Sequence, residues 1–340
     1  MRGTFTDYLL DGDKLAREDD GTMEVTFFGT RGSSPVAGPE YIGFGGNTTC
    51  LQIESGCLPQ NCGLVIDAGT GFLPMSSVLL KRGIMALTVL STHYHHDHTQ
   101  GALLSALTFS KGVRIAWYGP EEDGIGPAQM LAHVMKPPYF PVDFAEVASH
   151  FACKGISHPS CKVIAIHPEG GLKLFSVDEL ERLEQREAPQ VTMGGSRYPI
   201  GECLIIRMLK TNHPERTISY RFEERPTSKV FVFLTDHENL DGMPRSLEGH
   251  LRGADLLVMD AQYGRAKYDT ATAGFGHGTP DYCARVAHQV GVARLGLTHH
   301  DPLSSDEEIG NILKEAGQAI AMSGSKLEVF ACADYLRVVV

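Results

Sequence analysis

Eleven residues hold the densest chemistry in the chain: Ser91-Thr-His-Tyr-His-His-Asp-His-Thr-Gln-Gly101, with four histidines and one aspartate between positions 93 and 98. Imidazole and carboxylate together suit borderline divalent metals such as zinc, manganese or iron. A solvated polar loop could also carry histidines, but loops rarely gather four of them around one aspartate. His93 and His95 alternate, so both side chains can fall on one side of an extended segment and hold one ion. Asp97 and His98 sit one step on, where the chain turns, and could face a second ion. That assignment leaves His96 outside the ligand set.

Elements must position such a loop. Ala86-Leu-Thr-Val-Leu90 before it reads as a buried strand, and Ala102 to Leu107 after it as the first turns of a helix. Strand ends are where an α/β fold places its chemistry, and the pattern recurs along the chain. Gly63 to Ile66 ends in Asp67, Cys203 to Leu209 leads to His213, and Lys229 to Leu234 leads to Thr235-Asp236-His237. Ala254 to Met259 ends in Asp260, and Val292 to Thr298 runs into His299-His300. Phe275-Gly-His-Gly-Thr-Pro280 opens a helix reaching about Val290, with Thr279 as N-cap and Pro280 at the first helical position. Composition does not separate His299 from His300. His237 competes with Asp236, although a bridge between two cations calls for a carboxylate.

The His-x-His-x-Asp-His order of residues 93–98 resembles the metallo-β-lactamase superfamily. Thr235-Asp236 after a strand, then Gly276-His-Gly-Thr279, then Leu297-Thr-His299, resembles its branch holding ribonuclease Z and cyclic-nucleotide phosphodiesterases. The resemblance implies an α/β fold of the αββα four-layer sandwich type over residues 23–340. It also implies two divalent ions, zinc ahead of manganese or iron. His93, His95 and His213 would hold the first, Asp97, His98 and His299 the second, and Asp236 would bridge them. Related sequences place their last ligand directly after Leu-Thr, which selects His299. Asp67 would order the metal loop through hydrogen bonds without binding metal. His277 would serve the phosphate. Gly278 stands where a serine is usual, so a hydroxyl contact falls to Thr279 or to no residue.

The activity implied is a phosphodiesterase on a small nucleotide, cyclic ones included, using a metal-activated hydroxide with Asp97 and His277 as catalytic groups. A tRNA 3′-end endonuclease like ribonuclease Z and a thioester or lactam hydrolase are the rival enzymes. A metal-free binding module is the rival outside enzymes, and the presence of all seven ligand types argues against it.

Composition narrows the partners. The 340 residues are 42% apolar with a formal net charge of −11, and no Lys/Arg block occurs. Proteins that grip long nucleic acid normally show a basic footprint, so a small-molecule phosphoester is the expected partner. A homodimer is left open. No apolar run approaches a membrane span, and residues 1–22 read as a polar leader lacking a signal-peptide core, so a cytoplasmic protein is expected. Cys57 and Cys62 read as reduced thiols at a hairpin tip, and Cys153, His158, Cys161 and His167 fit no standard zinc motif. The Gly29–Ser34 loop can offer N–H groups to an anion. Tyr139 and Phe140, in a proline-rich segment, are a candidate pocket wall, with a plain connector as the equal alternative. Residues 144–200, irregular and near neutral in charge, are expected to form an insertion at the rim, outside the sandwich core.

Overall fold

The computed structural model describes residues 22–340. The reading of residues 1–22 as a leader therefore falls, except for Thr22, outside the described residues. Strand β1 spans Glu24–Gly29, β2 Cys50–Glu54, β3 Cys62–Ile66, β4 Ala86–Leu90, β5 Arg114–Pro120 and β6 Phe151–Ile156. β7 (Lys162–His167) and β8 (Gly171–Ser176) follow, then the separate hairpin β9 (Gln190–Met193) and β10 (Ser196–Pro199). The remaining strands are β11 (Leu204–Lys210), β12 (Ile218–Glu224), β13 (Lys229–Leu234), β14 (Leu256–Asp260), β15 (Arg294–Thr298), β16 (Glu328–Ala331) and β17 (Arg337–Val339). They form a seven-stranded sheet in the order β17-β1-β2-β3-β4-β5-β6 and an eight-stranded sheet in the order β16-β15-β14-β13-β12-β11-β7-β8.

The two sheets face each other across an apolar core, and alternation decides which side chains enter it. Phe231 and Phe233 of β13 join the core between the sheets, whereas Val232 and Leu234 point the other way, into the helical layer. On the outer face of the first sheet lie α1 (Phe72–Lys81), α2 (Ala106–Phe109) and α3 (Pro127–Val134). α4 (Val177–Glu184) covers β7 and β11 near the sheet edge. Of the later helices α5 (Arg245–Leu251), α6 (Arg265–Lys267), α7 (Pro280–Val290) and α8 (Asp306–Met322), the first and the last two cover the second sheet. Helix, sheet, sheet, helix is the four-layer order expected from the sequence.

β4 runs parallel to β3 and β5, and β14 parallel to β13 and β15. Parallel strands are covered on both faces and read as continuous apolar runs, which is why Ala86–Leu90 and Leu256–Met259 show no alternation. The carboxyl ends of β3, β4, β13, β14 and β15 deliver the residues described below. No described helix is long and apolar enough to cross a membrane.

Residues 144–200 do not form an insertion outside the sandwich. β6 pairs with β5 as the edge of the first sheet, and β7 pairs with both β11 and β8 inside the second. The prolines that made this segment look irregular lie beyond the strand ends: Pro159 precedes β7 and Pro168 follows it, while the five residues from Val163 to His167 are all buried. β6 reads weakly because an edge strand is only half covered. Within this segment α4, the β9–β10 hairpin and the short 3-10 turns Phe144–Glu146, Ala148–His150 and Pro159–Cys161 stand outside the two main sheets.

One buried group in the helical layer sets an acid limit on stability. His250 on α5 bonds the Ser219 hydroxyl through Nε2 at 3.0 Å. Burial, then the nearby Arg221 and Arg207, push its pKa down to about 3. The unfolded chain therefore binds a proton that the folded chain refuses between about pH 6.5 and 3, so stability falls with acidification through that window. Urea unfolding of wild type and His250→Asn at pH 7 and pH 5 should show the wild type losing about 2 kcal/mol more than the variant over this interval. Equal losses would mean that His250 is not the group responsible.

Candidate metal centre

Asp67, Asp236 and His299 each lie one or two residues past a buried strand, and each adopts the left-handed conformation, with φ of 58°, 48° and 61°. Such φ values cost a non-glycine residue roughly 1–3 kcal/mol and persist only where the surroundings enforce them. Here they turn the chain sharply off the strand, so that side chains from separate strands of both sheets meet at one end of the sandwich.

Asp67 organises the histidine loop. Its carboxylate accepts from the Thr92 backbone N–H at 2.7 Å, the Thr92 hydroxyl at 2.8 Å and His98 Nδ1 at 2.8 Å. The His98 Nδ1 proton is thereby used, and Nε2 is left as a lone pair facing the centre. Around that Nε2 lie His299 Nε2 at 3.2 Å, Asp97 Oδ2 at 3.3 Å and Asp236 Oδ2 at 3.4 Å. A second group gathers His93, His95, His213 and Asp236, with ligand atoms all within 4.8 Å of one another. His213 Nδ1 donates to the Gly276 carbonyl at 3.1 Å, and His93 Nδ1 lies 3.1 Å from the Thr92 hydroxyl, so both rings present Nε2. Asp236 divides its oxygens: Oδ1 is 3.6 Å from His93 Nε2, and Oδ2 is 3.5 Å from His299 Nε2.

The residues fit a pair of divalent cations. His93 Nε2, His213 Nε2 and Asp236 Oδ1 are buried and have no hydrogen-bond partner. Buried polar atoms are otherwise almost always paired, and leaving one unpaired costs about 1–3 kcal/mol. These three point at one another, so a cation satisfies all three at once. Electrostatics separate the two groups. Burial pushes His93 and His213 down and keeps them neutral, which is the ligand form. Burial also works against charge on His299, but Asp236 and Asp260 outweigh it and raise the ring to about 9. The imidazoles in turn overcome the effect of burial on Asp97 and Asp236 and hold both carboxyls below their ordinary range.

His277 approaches from the turn before α7. Its Nδ1 donates to Asp260 Oδ2 at 2.8 Å, and its ring stacks on His299 with centroids 5.0 Å apart. Asp260, the last residue of β14, also accepts from the Gln262 N–H at 2.9 Å. A cavity of about 420 Å³ opens above, lined by Ser33, Tyr94, His95, His96, Asp97, Asp236, His277 and His299. Ser33, from the glycine- and hydroxyl-rich loop after β1, donates its N–H to Asp97 Oδ2 at 2.6 Å and accepts at Oγ from Gln262 Nε2 at 3.1 Å.

All seven residues expected as ligands meet here, and His277 meets them. His300 turns away and bonds the Cys332 carbonyl through Nε2 at 2.8 Å, while His237 is held by the Asn212 N–H and the Tyr282 hydroxyl. His96 is exposed at the cavity rim and joins neither group. Thr279 does occupy the N-cap position of α7, but its hydroxyl bonds Asn239 and Asp281 and is fully buried, so it offers nothing to a ligand. Tyr139 and Phe140 do not line the cavity: Phe140 is buried against Phe109, and Tyr139 projects into solvent. The cysteines are free thiols. His167 is used by Glu202 and by the N–H groups of Glu169 and Gly170. Sequence reasoning assigned Asp260 no role, although it carried the signal that singled out Asp67, an apolar strand ending in aspartate.

Comparison with known proteins agrees with this geometry. A family model described as the beta-lactamase superfamily domain matches residues 162–300. A ribonuclease Z from a Bradyrhizobium species is 40% identical over 82 residues, 24% of this chain and 25% of that protein, so this match spans a quarter of the relative's length. A ribonuclease Z from Thermoplasma acidophilum is 21% identical over 312 residues, 84% of this chain and 89% of the relative. Among solved structures, the metallo-beta-lactamase fold protein YhfI from Bacillus subtilis superposes with a TM-score of 0.58 at 19% identity, covering 93% of this chain and 99% of that one. Unliganded yeast PDE1 superposes with a TM-score of 0.62 at 13% identity, covering 94% and 99%. Fold, ligand-type side chains and family match agree: the chain has the metallo-β-lactamase fold, and its residues 162–300 are similar to the beta-lactamase superfamily domain.

Proposed function

We propose that the protein is a dinuclear metal-dependent phosphodiesterase acting on a small nucleotide, cyclic ones included. The observation that carries this reading is His277, held by Asp260 and stacked on His299 at the wall of a cavity whose floor is Asp97 and Asp236. His93, His95 and His213 would hold the first ion, Asp97, His98 and His299 the second, with Asp236 shared. Nitrogen and carboxylate donors without thiolate suit zinc, manganese or iron, and zinc is the first choice for so histidine-rich a set. Bound divalent ions supply Lewis-acid polarisation of a phosphoryl oxygen and a nucleophilic hydroxide at neutral pH.

The chain's own groups do the rest. Asp97, fixed by the Ser33 N–H, orients the attacking water and accepts its proton. His277 keeps one proton on Nδ1 toward Asp260, which leaves Nε2 to hold the proton given to the leaving oxygen. Asp260 stabilises the imidazolium and fixes the ring. The Ser33 hydroxyl, positioned by Gln262, is available to donate to a phosphoryl oxygen.

The ribonuclease Z relatives favour a second reading, cleavage at the 3′ end of tRNA precursors. The net charge of −11 and the acidic helix α4 speak for a small substrate instead. The test is metal analysis of the purified protein with a panel of cyclic nucleotides, dinucleotides, bis(p-nitrophenyl) phosphate, a thioester and a tRNA precursor. Turnover of small phosphodiesters with little salt dependence is expected. Steeply salt-sensitive cleavage of the precursor with no small-ester turnover would replace this reading by the tRNA one.

A further inference from the structure

Glu215 stands two residues after His213, in the turn between β11 and β12. Its Oε2 lies 3.2 Å from His95 Nε2 and 3.4 Å from His213 Nε2. Those nitrogens belong to the first ligand group. The segment carrying Glu215 is fixed on both sides. Pro214 precedes it with a locked φ. Arg216 follows, its N–H donating to Glu122 Oε2 at 3.2 Å and its Nη1 to the carbonyls of Glu121 at 2.7 Å and Ser157 at 2.6 Å. The carboxylate is therefore presented to the two imidazoles by its backbone.

Two features of the first group call for such a residue. The first is charge. The second group has Asp97 to itself and shares Asp236, whereas the first group has three imidazoles and only the shared Asp236. The second is exposure. The side chains of His98 and His299 are 0% and 1% exposed, but that of His95 is 45% exposed, so the first group opens to water on the side where Glu215 sits. Glu215 itself is 56% exposed and can swing aside, as the buried Asp236 cannot.

We propose that Glu215 is an auxiliary carboxylate ligand of the first metal position, closing its open side and retarding loss of that ion. The assignment rests on the reading of His93, His95, His213 and Asp236 as a metal site. It gives both groups two carboxylates and makes one of them movable, so the first position can be opened without dismantling the centre.

The full chain, loaded with zinc, is dialysed against graded concentrations of a competing chelator, and zinc per chain is counted by mass spectrometry. The wild type should retain two ions. Glu215→Gln, which keeps the shape and removes the charge, should lose one of them at a chelator concentration about ten- to a hundred-fold lower, while the other follows the wild-type curve. Zinc release followed in a stopped-flow mixer should quicken by a similar factor. Superimposable retention curves would overturn the proposal. So would a zinc-free variant that melts well below the zinc-free wild type, because Glu215 would then be a structural residue. A wild-type chain that takes up no zinc would overturn the underlying metal reading, a result distinct from either.

Discussion

Asp236→Asn should fold, lose at least one of its two metal ions and hydrolyse phosphodiesters at least about 10³-fold more slowly, since metal charge stabilisation is worth several kcal/mol and each 1.36 kcal/mol is a factor of ten. The two oxygens of Asp236 face different ligand groups, Oδ1 toward His93 and Oδ2 toward His98 and His299. An amide retains one carbonyl oxygen and puts a donor where the other group needs an acceptor. It also removes the negative charge that offsets four nearby imidazoles, those of His299, His98, His93 and His277. Asparagine is the better probe than alanine, because residue 236 sits at φ 48° and asparagine tolerates that region. Metal content by mass spectrometry and kcat/KM on bis(p-nitrophenyl) phosphate check the expectation. Two ions retained at wild-type affinity would remove Asp236 from the shared position.

The second large effect concerns proton delivery. His277→Ala should retain both ions and the fold, because His277 is no member of the seven-residue ligand set. It should nevertheless lose kcat by about 10²–10⁴-fold on an ester with a poor leaving group, the usual contribution of a general acid. On a p-nitrophenyl ester the loss should be smaller, since that leaving group needs little protonation. Asp260→Asn offers a companion measurement. It keeps a side-chain oxygen near His277 Nδ1 but withdraws the negative charge beside the ring, so it too should lose more kcat on the poor-leaving-group ester than on the p-nitrophenyl ester. Equal losses on both esters in His277→Ala would assign the ring to phosphate positioning. No loss on either would take His277 out of the reaction and remove the main reason for preferring phosphoester chemistry.

The centre was more legible in the sequence than the sheets around it. A ligand is announced by its type and by the apolar strand before it, and both signals are local. His93, His95, Asp97 and His98 are consecutive or nearly so, and Asp236 and His299 follow unbroken apolar runs. β7 was missed because its ends lie against prolines, and pairing with the distant β11 leaves no mark in the local pattern. The same limit hid Asp260 and Glu215. Asp260 looks like any strand-end aspartate until His277 arrives from the next turn, and Glu215 looks like a surface glutamate until His95 is seen beside it. Thr279 illustrates the reverse error: its position was legible, but its hydroxyl is claimed by Asn239, a residue 40 positions away. Tyr139 and Phe140 failed as a pocket wall because an aromatic pair on a rigid segment says nothing about which direction the segment faces.

The origin of the seven candidate ligands has a wider consequence. His93, His95, Asp97 and His98 hang from β4 in one sheet, and His213, Asp236 and His299 from β11, β13 and β15 in the other. Residues 162–300, the span of the family match, carry only three of the seven. Neither half of the sandwich owns a complete group, so an ion seated at either one clamps the halves together. Clamping is reciprocal: whatever prises the sheets apart weakens the hold on the ion by the same free energy with which the ion resists the parting. With such an ion bound, chelator, heat and mutations deep in the inter-sheet core, far from any substrate, would act on a single equilibrium.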